Sequence, residues 1–248
     1  MNDEPTPSTA ASFPDGAAPP TAGLSARRAV GIFAAFLGVQ LLVMGPPAFW
    51  AGLHAAPDSD IDLTLAILSG LAGTACAGYV ALRMARRALP GAMALIGWVP
   101  ASAHVCGVAA LQGMALALVL PVAHAYLPLP APGSGPLGPI DELSFWLGVA
   151  GIVFAAVVAP LAEELLFRGV LYTGLARRWR PPIAGTLTTL AFLAMHVPQL
   201  GGHWPGWILI GLLGALALRA RVATGSLLPA IALHSTYNLG IVLAATVR

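Results

Sequence analysis

The sequence predicts an all-α, polytopic transmembrane helix bundle, and three observations carry this prediction: the composition, the length of the apolar segments and the placement of the arginines. Hydrophobic residues make up 58% of the 248 residues and charged residues only 9%, whereas soluble proteins contain about 25% charged residues. A helix needs about 20 apolar residues to cross the hydrocarbon core, and segments of this kind fill most of the chain after Arg28. We therefore expect one integral membrane domain over residues 27–248.

The first 26 residues are of a different character. They are rich in Pro, Ala, Ser and Thr and contain no basic stretch followed by a short apolar run and a cleavage site. Such a composition cannot bury enough apolar surface to fold. We expect residues 1–26 to form a disordered cytoplasmic tail.

Seven apolar segments are expected to span the membrane: 29 to about 50, 62–82, 92–127, 143–165, 183–198, 205–219 and 226–246. The third is too long for one straight crossing. Pro100 within it favours a break, so that residues 92–102 form an interfacial or re-entrant piece. An eighth span is the alternative.

The arginines give the orientation, because short cytoplasmic loops collect positive charge. All twelve basic residues are arginine. In the seven-span arrangement four arginine clusters fall on one side of the membrane. They are Arg27/Arg28, Arg83/Arg86/Arg87, Arg177/Arg178/Arg180 and Arg219/Arg221. We expect the N-terminus to be cytoplasmic. An arginine-only, Ala-, Gly- and Pro-rich chain is typical of a GC-rich bacterial genome, which predicts the inner (plasma) membrane. The scattered charge indicates no nucleic-acid partner.

Two adjacent carboxylates and an arginine interrupt a hydrophobic segment at Glu163, Glu164 and Arg168. A charge at the centre of a membrane helix costs about 2.5 to 3.5 kcal/mol, so these residues need an explanation. On a helix Glu164 and Arg168 share a face and can form an ion pair. Glu163 points about 100° away and is left without a partner in its own helix.

Two further polar motifs lie in later segments: His196 follows Phe192 by four residues, and Asn238 follows His234 by four. If segments 143–165 and 183–198 form a hairpin around the turn 178–182, Glu163 and His196 lie at equal depth, about 21 Å from the turn. His234 and Asn238 approach the same level from the last segment. Since segment 143–180 is too long for one straight span, we expect Pro160 to bend it and the site to lie in the cytoplasmic half of the membrane.

In this order the patterns EExxxR, FxxxH and HxxxN resemble the three motifs of the CAAX-protease and bacteriocin-processing family, which includes the type II CAAX prenyl endopeptidases. The resemblance covers residues 140–246 and implies an intramembrane endopeptidase acting on a protein or peptide substrate, itself membrane-associated or delivered from the cytoplasm. It implies that Glu163 is the catalytic base and that His196 positions the water. It further implies that His234 and Asn238 hold the oxyanion, with Glu164 and Arg168 in supporting roles. Peptide hydrolysis needs such a base and such donors.

Two alternatives stay open. Glu163, His196 and His234 can also be read as zinc ligands of the His2Glu type, although no HExxH motif is present; we favour a mechanism without metal or other cofactor. Intramembrane carboxylates and histidines also build proton relays. A proton-coupled transporter, or a catalytically silent immunity or scaffold protein, is therefore the alternative function.

Overall fold

The structure is a computed structural model that describes residues 23–54, 60–88, 91–130 and 145–246. These ranges are helical and contain no strand, which confirms the all-α prediction. Most of the predicted tail, residues 1–22, lies outside the described residues, as does most of the predicted outer loop 128–142.

The helices follow one another in the order α1 (Ala26–His54), α2 (Asp60–Ala88), α3 (Ala92–Leu95), α4 (Ala103–Tyr126), α5 (Phe145–Ala176), α6 (Pro181–Met195), α7 (Val197–Leu200), α8 (Trp204–Thr224) and α9 (Leu228–Thr246). Within α5 two stretches, Phe154–Val158 and Leu165–Leu171, are π-helical. π-Helical turns inside α-helices are frequent at functional sites.

Local signals explain where several helices begin and end. Ser102 caps α4, because its hydroxyl accepts a hydrogen bond from the Val105 N–H at 3.3 Å. Helix α6 begins with a proline in its first turn, where the missing N–H removes no helical bond. Helix α8 ends at Gly225, whose φ of 69° is the left-handed conformation that stops helices.

Within the described ranges, four helical segments are long and apolar enough to cross a membrane: Ala26–Pro46, Ala103–Tyr126, Phe145–Ala176 and Trp204–Thr224. Pro181–Met195 and Leu228–Ala244 are shorter apolar helices. The protein is thus a multi-helix membrane protein, while the total of seven spans stays a prediction. The break expected at Pro100 is present, because α3 ends at Leu95 and α4 begins at Ala103; the four-residue α3 is too short to be an eighth span.

Helix α5 occupies the centre of the bundle, in contact with α1, α2, α6, α8 and α9. Its residues 165–171 are all buried. Helix α9 packs lengthwise on α4, and a Cβ added to Gly113 would overlap the carbonyl oxygen of Leu233. Small residues at such contacts let helix backbones approach closely, which is how membrane helices associate.

The ends of the helices that carry the arginine clusters lie together. The backbone of Gly174, near the end of α5, abuts Ala29 in the first turn of α1. The Leu227 N–H, between α8 and α9, donates to the Gly97 carbonyl at 2.8 Å, beside the end of α3. The interhelical arginine clusters therefore lie at one end of the bundle, as the seven-span arrangement requires. We call this the arginine end.

Candidate active site

Glu164 and Arg168 form a buried ion pair on α5. Nη1 of Arg168 donates to Oε1 of Glu164 at 2.7 Å, and both side chains are fully buried. Nη2 of Arg168 donates to the Gly214 carbonyl on α8 at 2.9 Å. The i, i+4 pair predicted from the spacing is therefore present, and it also ties α5 to α8. Removing one partner of such a pair leaves an uncompensated buried charge, which is strongly destabilising.

His234, on α9, joins this pair from the other side. Its Nδ1 lies 2.8 Å from Oε1 of Glu164, and its side chain is buried. A carboxylate only accepts hydrogen bonds, so Nδ1 of His234 carries the proton and donates it. Glu164 thus fixes both the orientation and the tautomer of the His234 ring, so that Nε2 points away from Glu164.

Glu163 lies where that Nε2 points. Oε2 of Glu163 is 3.9 Å from Nε2 of His234, too long for a direct hydrogen bond. This oxygen is buried and has no hydrogen-bond partner within the described part of the chain, yet the Glu163 side chain is 25% exposed. Oε2 of Glu164 also lacks a partner among the described residues, but the Glu164 side chain is fully buried. Of the two adjacent carboxylates, Glu163 is therefore the one that is partly accessible from outside the protein core.

His196 stands at the C-terminal end of α6 and is half-buried. Its Nδ1 lies 2.8 Å from the Phe192 carbonyl oxygen, so Nδ1 is the donor and Nε2 of the neutral ring is an acceptor. The rings of His196 and Phe192 are 4.6 Å apart. No hydrogen bond or ion pair joins His196 to Glu163 among the described residues, so its link to the site is through Phe192.

Phe192 holds the polar groups together. Its ring lies under the Arg168 guanidinium at 4.3 Å and 5.7 Å from the His234 ring. It also meets Phe167 edge-to-face at 5.2 Å. Phe167 and Phe192 stand one helical turn from Glu163 and His196, in the same hairpin register. The α5–α6 hairpin predicted from the turn therefore has the expected register, and Phe192 is the packing surface between Arg168, His234 and His196.

Asn238 has a role that the motif did not reveal. In the first π-helical stretch of α5 the Ala159 N–H bonds to the Phe154 carbonyl, five residues back. The Ala155 carbonyl would take its hydrogen bond from residue 160 in that register, but Pro160 has no N–H. Nδ2 of Asn238 donates to this oxygen at 2.7 Å instead. Asn238 thus compensates for the hydrogen bond that Pro160 removes from α5. Pro160 is the residue at which the sequence predicts a bend.

The six predicted residues do not all converge at one point. Glu163, Glu164, Arg168 and His234 form one connected cluster, and His196 borders it across Phe192. Asn238 lies on the face of α9 that carries His234, but it contacts Ala155, which is two helical turns before Glu163. Asn238 therefore lies further from the arginine end than the expected common level. Pro160, which has no N–H, is the residue in the sequence that indicates a carbonyl without its helical hydrogen-bond donor.

The three side chains predicted as alternative zinc ligands also do not come together at one point. In the described ranges no three His, Cys, Asp or Glu side chains lie close enough together to hold a metal ion. Glu163 and His234 face each other, but His196 is not placed as a third ligand. What the arrangement offers chemically is a partly accessible carboxylate side chain opposite an oriented imidazole.

Comparison with known proteins agrees with the motifs. The family model described as type II CAAX prenyl endopeptidase Rce1-like matches residues 144–240, a range that contains all six predicted site residues. Comparison with curated proteins and with solved structures gives no match. The family match supports a membrane-embedded endopeptidase that acts on peptide substrates. Residues 144–240 are therefore similar to the Rce1-like type II CAAX prenyl endopeptidases, and this similarity supports a CAAX-protease-like intramembrane endopeptidase at family level.

Proposed function

We propose that this protein hydrolyses peptide bonds inside the membrane with a water molecule activated by Glu163. The observation that carries the proposal is the state of the two neighbouring carboxylates. Oε1 of Glu164 is shared between Arg168 and His234 in a fully buried setting. The second oxygens of both glutamates lack a partner in the described chain, but only the Glu163 side chain, which is 25% exposed, is open to the outside. A general base must be within reach of water, and Glu163 is the accessible carboxylate of the two.

The reaction follows from this assignment. Glu163 takes a proton from the water, whose oxygen attacks the carbonyl carbon of the scissile bond and moves the π electrons onto the carbonyl oxygen. When the tetrahedral intermediate collapses, the C–N bond breaks and Glu163 returns its proton to the leaving nitrogen. A bridging water can reach both Glu163 Oε2 and His234 Nε2 across their 3.9 Å separation.

The remaining residues orient the water and stabilise the developing charge. His196 donates Nδ1–H to Phe192, so its Nε2 can accept a hydrogen from the water. We propose that His234 keeps Nδ1–H on Glu164 and offers the oxyanion an Nε2–H whose proton it takes up from solvent. Asn238 donates one amide hydrogen to the Ala155 carbonyl, and we assign its second amide hydrogen to the oxyanion of a substrate that lies along α5 between Ala155 and Glu163. Glu164 and Arg168 act as positioning residues that fix His234.

We propose that no metal or other cofactor takes part, because the alternative zinc ligands Glu163, His196 and His234 do not form a three-ligand set in the described residues. We further propose a bacterial inner-membrane location with the arginine end and the N-terminus in the cytoplasm, since short cytoplasmic loops collect arginine. The substrate is then a protein or peptide that reaches Glu163 from the cytoplasm or from the membrane.

The test is a comparison of protein termini in cells that carry the wild-type protein or Glu163→Ala. We expect a set of new N-termini that requires the wild-type glutamate and is absent from the variant. Arg86→Gln, an exposed change at the arginine end outside the site, is the control and should leave the set intact. Identical termini in all three strains would overturn the peptidase assignment and favour a transporter or scaffold.

A further inference from the structure

A cavity lies on the flank of the bundle, away from Glu163. It has a volume of about 270 Å³ and lies between α4, the end of α8 and the start of α9. Its lining includes Val105, Val108 and Leu216 as apolar walls, with Arg219 and His104 as polar members. None of the six site residues lines it. The cavity is therefore separate from the proposed catalytic centre, and conclusions about it do not depend on the peptidase mechanism.

The cavity is formed by one continuous face of each of two long helices. On α8 the lining residues Leu216, Arg219, Ala220 and Ala223 recur at helical spacing. On α4 the residues Val105, Val108, Ala109 and Gln112 do the same. A groove that runs along two membrane helices with mostly apolar walls is suited to hold a hydrocarbon chain, because chains of lipid lie parallel to such helices.

The charge at one end of the groove sets what kind of lipid fits. Arg219 is exposed and makes no hydrogen bond or ion pair with any described residue. It stands five residues before the end of α8, about 7.5 Å along the axis, at the arginine end where the phosphates of a bilayer lie. His104, in the first turn of α4, lines the same cavity and can donate a second hydrogen bond. An unpaired cation above an apolar groove complements an anionic headgroup that carries an acyl chain.

We propose that this groove is a binding site for an anionic phospholipid, with the phosphate on Arg219 and His104 and an acyl chain against Val105, Val108 and Leu216. Basic pockets between membrane helices bind acidic headgroups in this way. His104 belongs to none of the three sequence motifs, and this placement gives it a function. The apolar walls favour a lipid over a free phosphate, since a free ion would leave them without a partner.

The experiment uses the full chain in phosphatidylcholine nanodiscs or neutral detergent, titrated with phosphatidylglycerol and read out by native mass spectrometry. We expect wild-type protein to retain phosphatidylglycerol and to retain no phosphatidylcholine beyond background. Arg219→Gln should weaken retention about fivefold, the effect of one arginine near an anionic headgroup. Arg86→Gln, an equivalent loss of charge at the same end on α2, should retain lipid like the wild type. Equal weakening by both variants would mean general attraction to negative charge and would overturn the site.

A second pair of variants tests the groove itself and guards against misfolding of Arg219→Gln. Val108→Trp fills the groove and should abolish retention, whereas Leu111→Trp adds the same bulk at a position of α4 that is 73% exposed and does not line the cavity, and should leave retention unchanged. Retention by Val108→Trp at wild-type strength contradicts the proposal. Addition of sn-glycerol 3-phosphate should not displace the lipid; full displacement at equal concentration would assign the site to a free phosphate.

Discussion

Nδ1 of His234 lies 2.8 Å from Oε1 of Glu164, so two helices far apart in the chain share one buried hydrogen bond. This contact gives the two adjacent glutamates separate tasks. Oε1 of Glu164 is shared by His234 and Arg168 in a fully buried setting, while the Glu163 side chain is 25% exposed. The two carboxylates should therefore respond differently to the same substitution.

Glu163→Gln should abolish most turnover and leave the fold intact. The amide keeps the shape of the side chain but cannot take a proton, and general-base catalysis contributes about 100- to 10,000-fold. Cleavage of a substrate found by the terminal comparison should therefore fall at least about 100-fold in purified protein, while the thermal unfolding midpoint stays near the wild-type value. Wild-type turnover in a folded variant would falsify the assignment of Glu163.

Glu164→Gln should act mainly on stability. It leaves the fully buried Arg168 without a counter-charge, which costs about 3 to 5 kcal/mol, and lowers the free energy of unfolding and the yield. Activity per folded molecule should be partly retained. Replacing both members, as in Glu164→Gln with Arg168→Met, removes the uncompensated charge and should be less destabilising than Glu164→Gln alone. A double variant that is less stable than either single variant contradicts the buried pair as the cause.

Asn238→Ala should destabilise α5 because the part-buried Ala155 carbonyl loses its hydrogen bond, at a cost of about 1 kcal/mol. Adding Pro160→Ala supplies an N–H at residue 160 that can bond to this carbonyl, so stability should partly recover. Turnover should not recover with it if Asn238 also holds the oxyanion. Thermal unfolding and turnover are measured on the same preparations. Recovery of both quantities would limit Asn238 to the positioning of α5.

Chelation should leave activity unchanged. Under the proposed mechanism Glu163 and water suffice, so incubation with EDTA or 1,10-phenanthroline followed by buffer exchange should reduce cleavage by less than about twofold. A zinc enzyme would lose activity when the chelator removes its metal and regain it when zinc is added back, because the ligand side chains alone supply no electrophile. That loss and recovery would replace our mechanism with the zinc alternative at Glu163, His196 and His234.

Reporter fusions should place the arginine end in the cytoplasm. Fusions after residues 86, 178 and 222 should report a cytoplasmic location, and those after residues 129 and 202 an external one, because arginine is confined to the first group of loops. Alkaline phosphatase and green fluorescent protein fusions give opposite signals and serve as mutual controls. A cytoplasmic signal at residue 129 is incompatible with the seven-span arrangement.

Several features were predictable from the sequence because they depend on local chemistry. The Glu164–Arg168 pair follows from two residues four apart on a helix, and the break before α4 follows from Pro100. The register of α5 against α6 follows from a short turn, which fixes the depth of Phe167 and Phe192 relative to each other. In each case the deciding interaction lies within one helix or one hairpin, so chain geometry alone constrains it.

By itself the sequence determined a membrane helix bundle and the motifs that carry ionisable groups into it. Only the tertiary structure decided that His234 lies between Glu163 and Glu164 and that Asn238 turns to Ala155. The reason is that the rotation of α9 about its own axis is set by close packing on α4, at Gly113, and by an orphan carbonyl that Pro160 creates in α5. Neither the packing nor the orphan group has a signature in the HxxxN spacing, because both belong to helices far away in the chain.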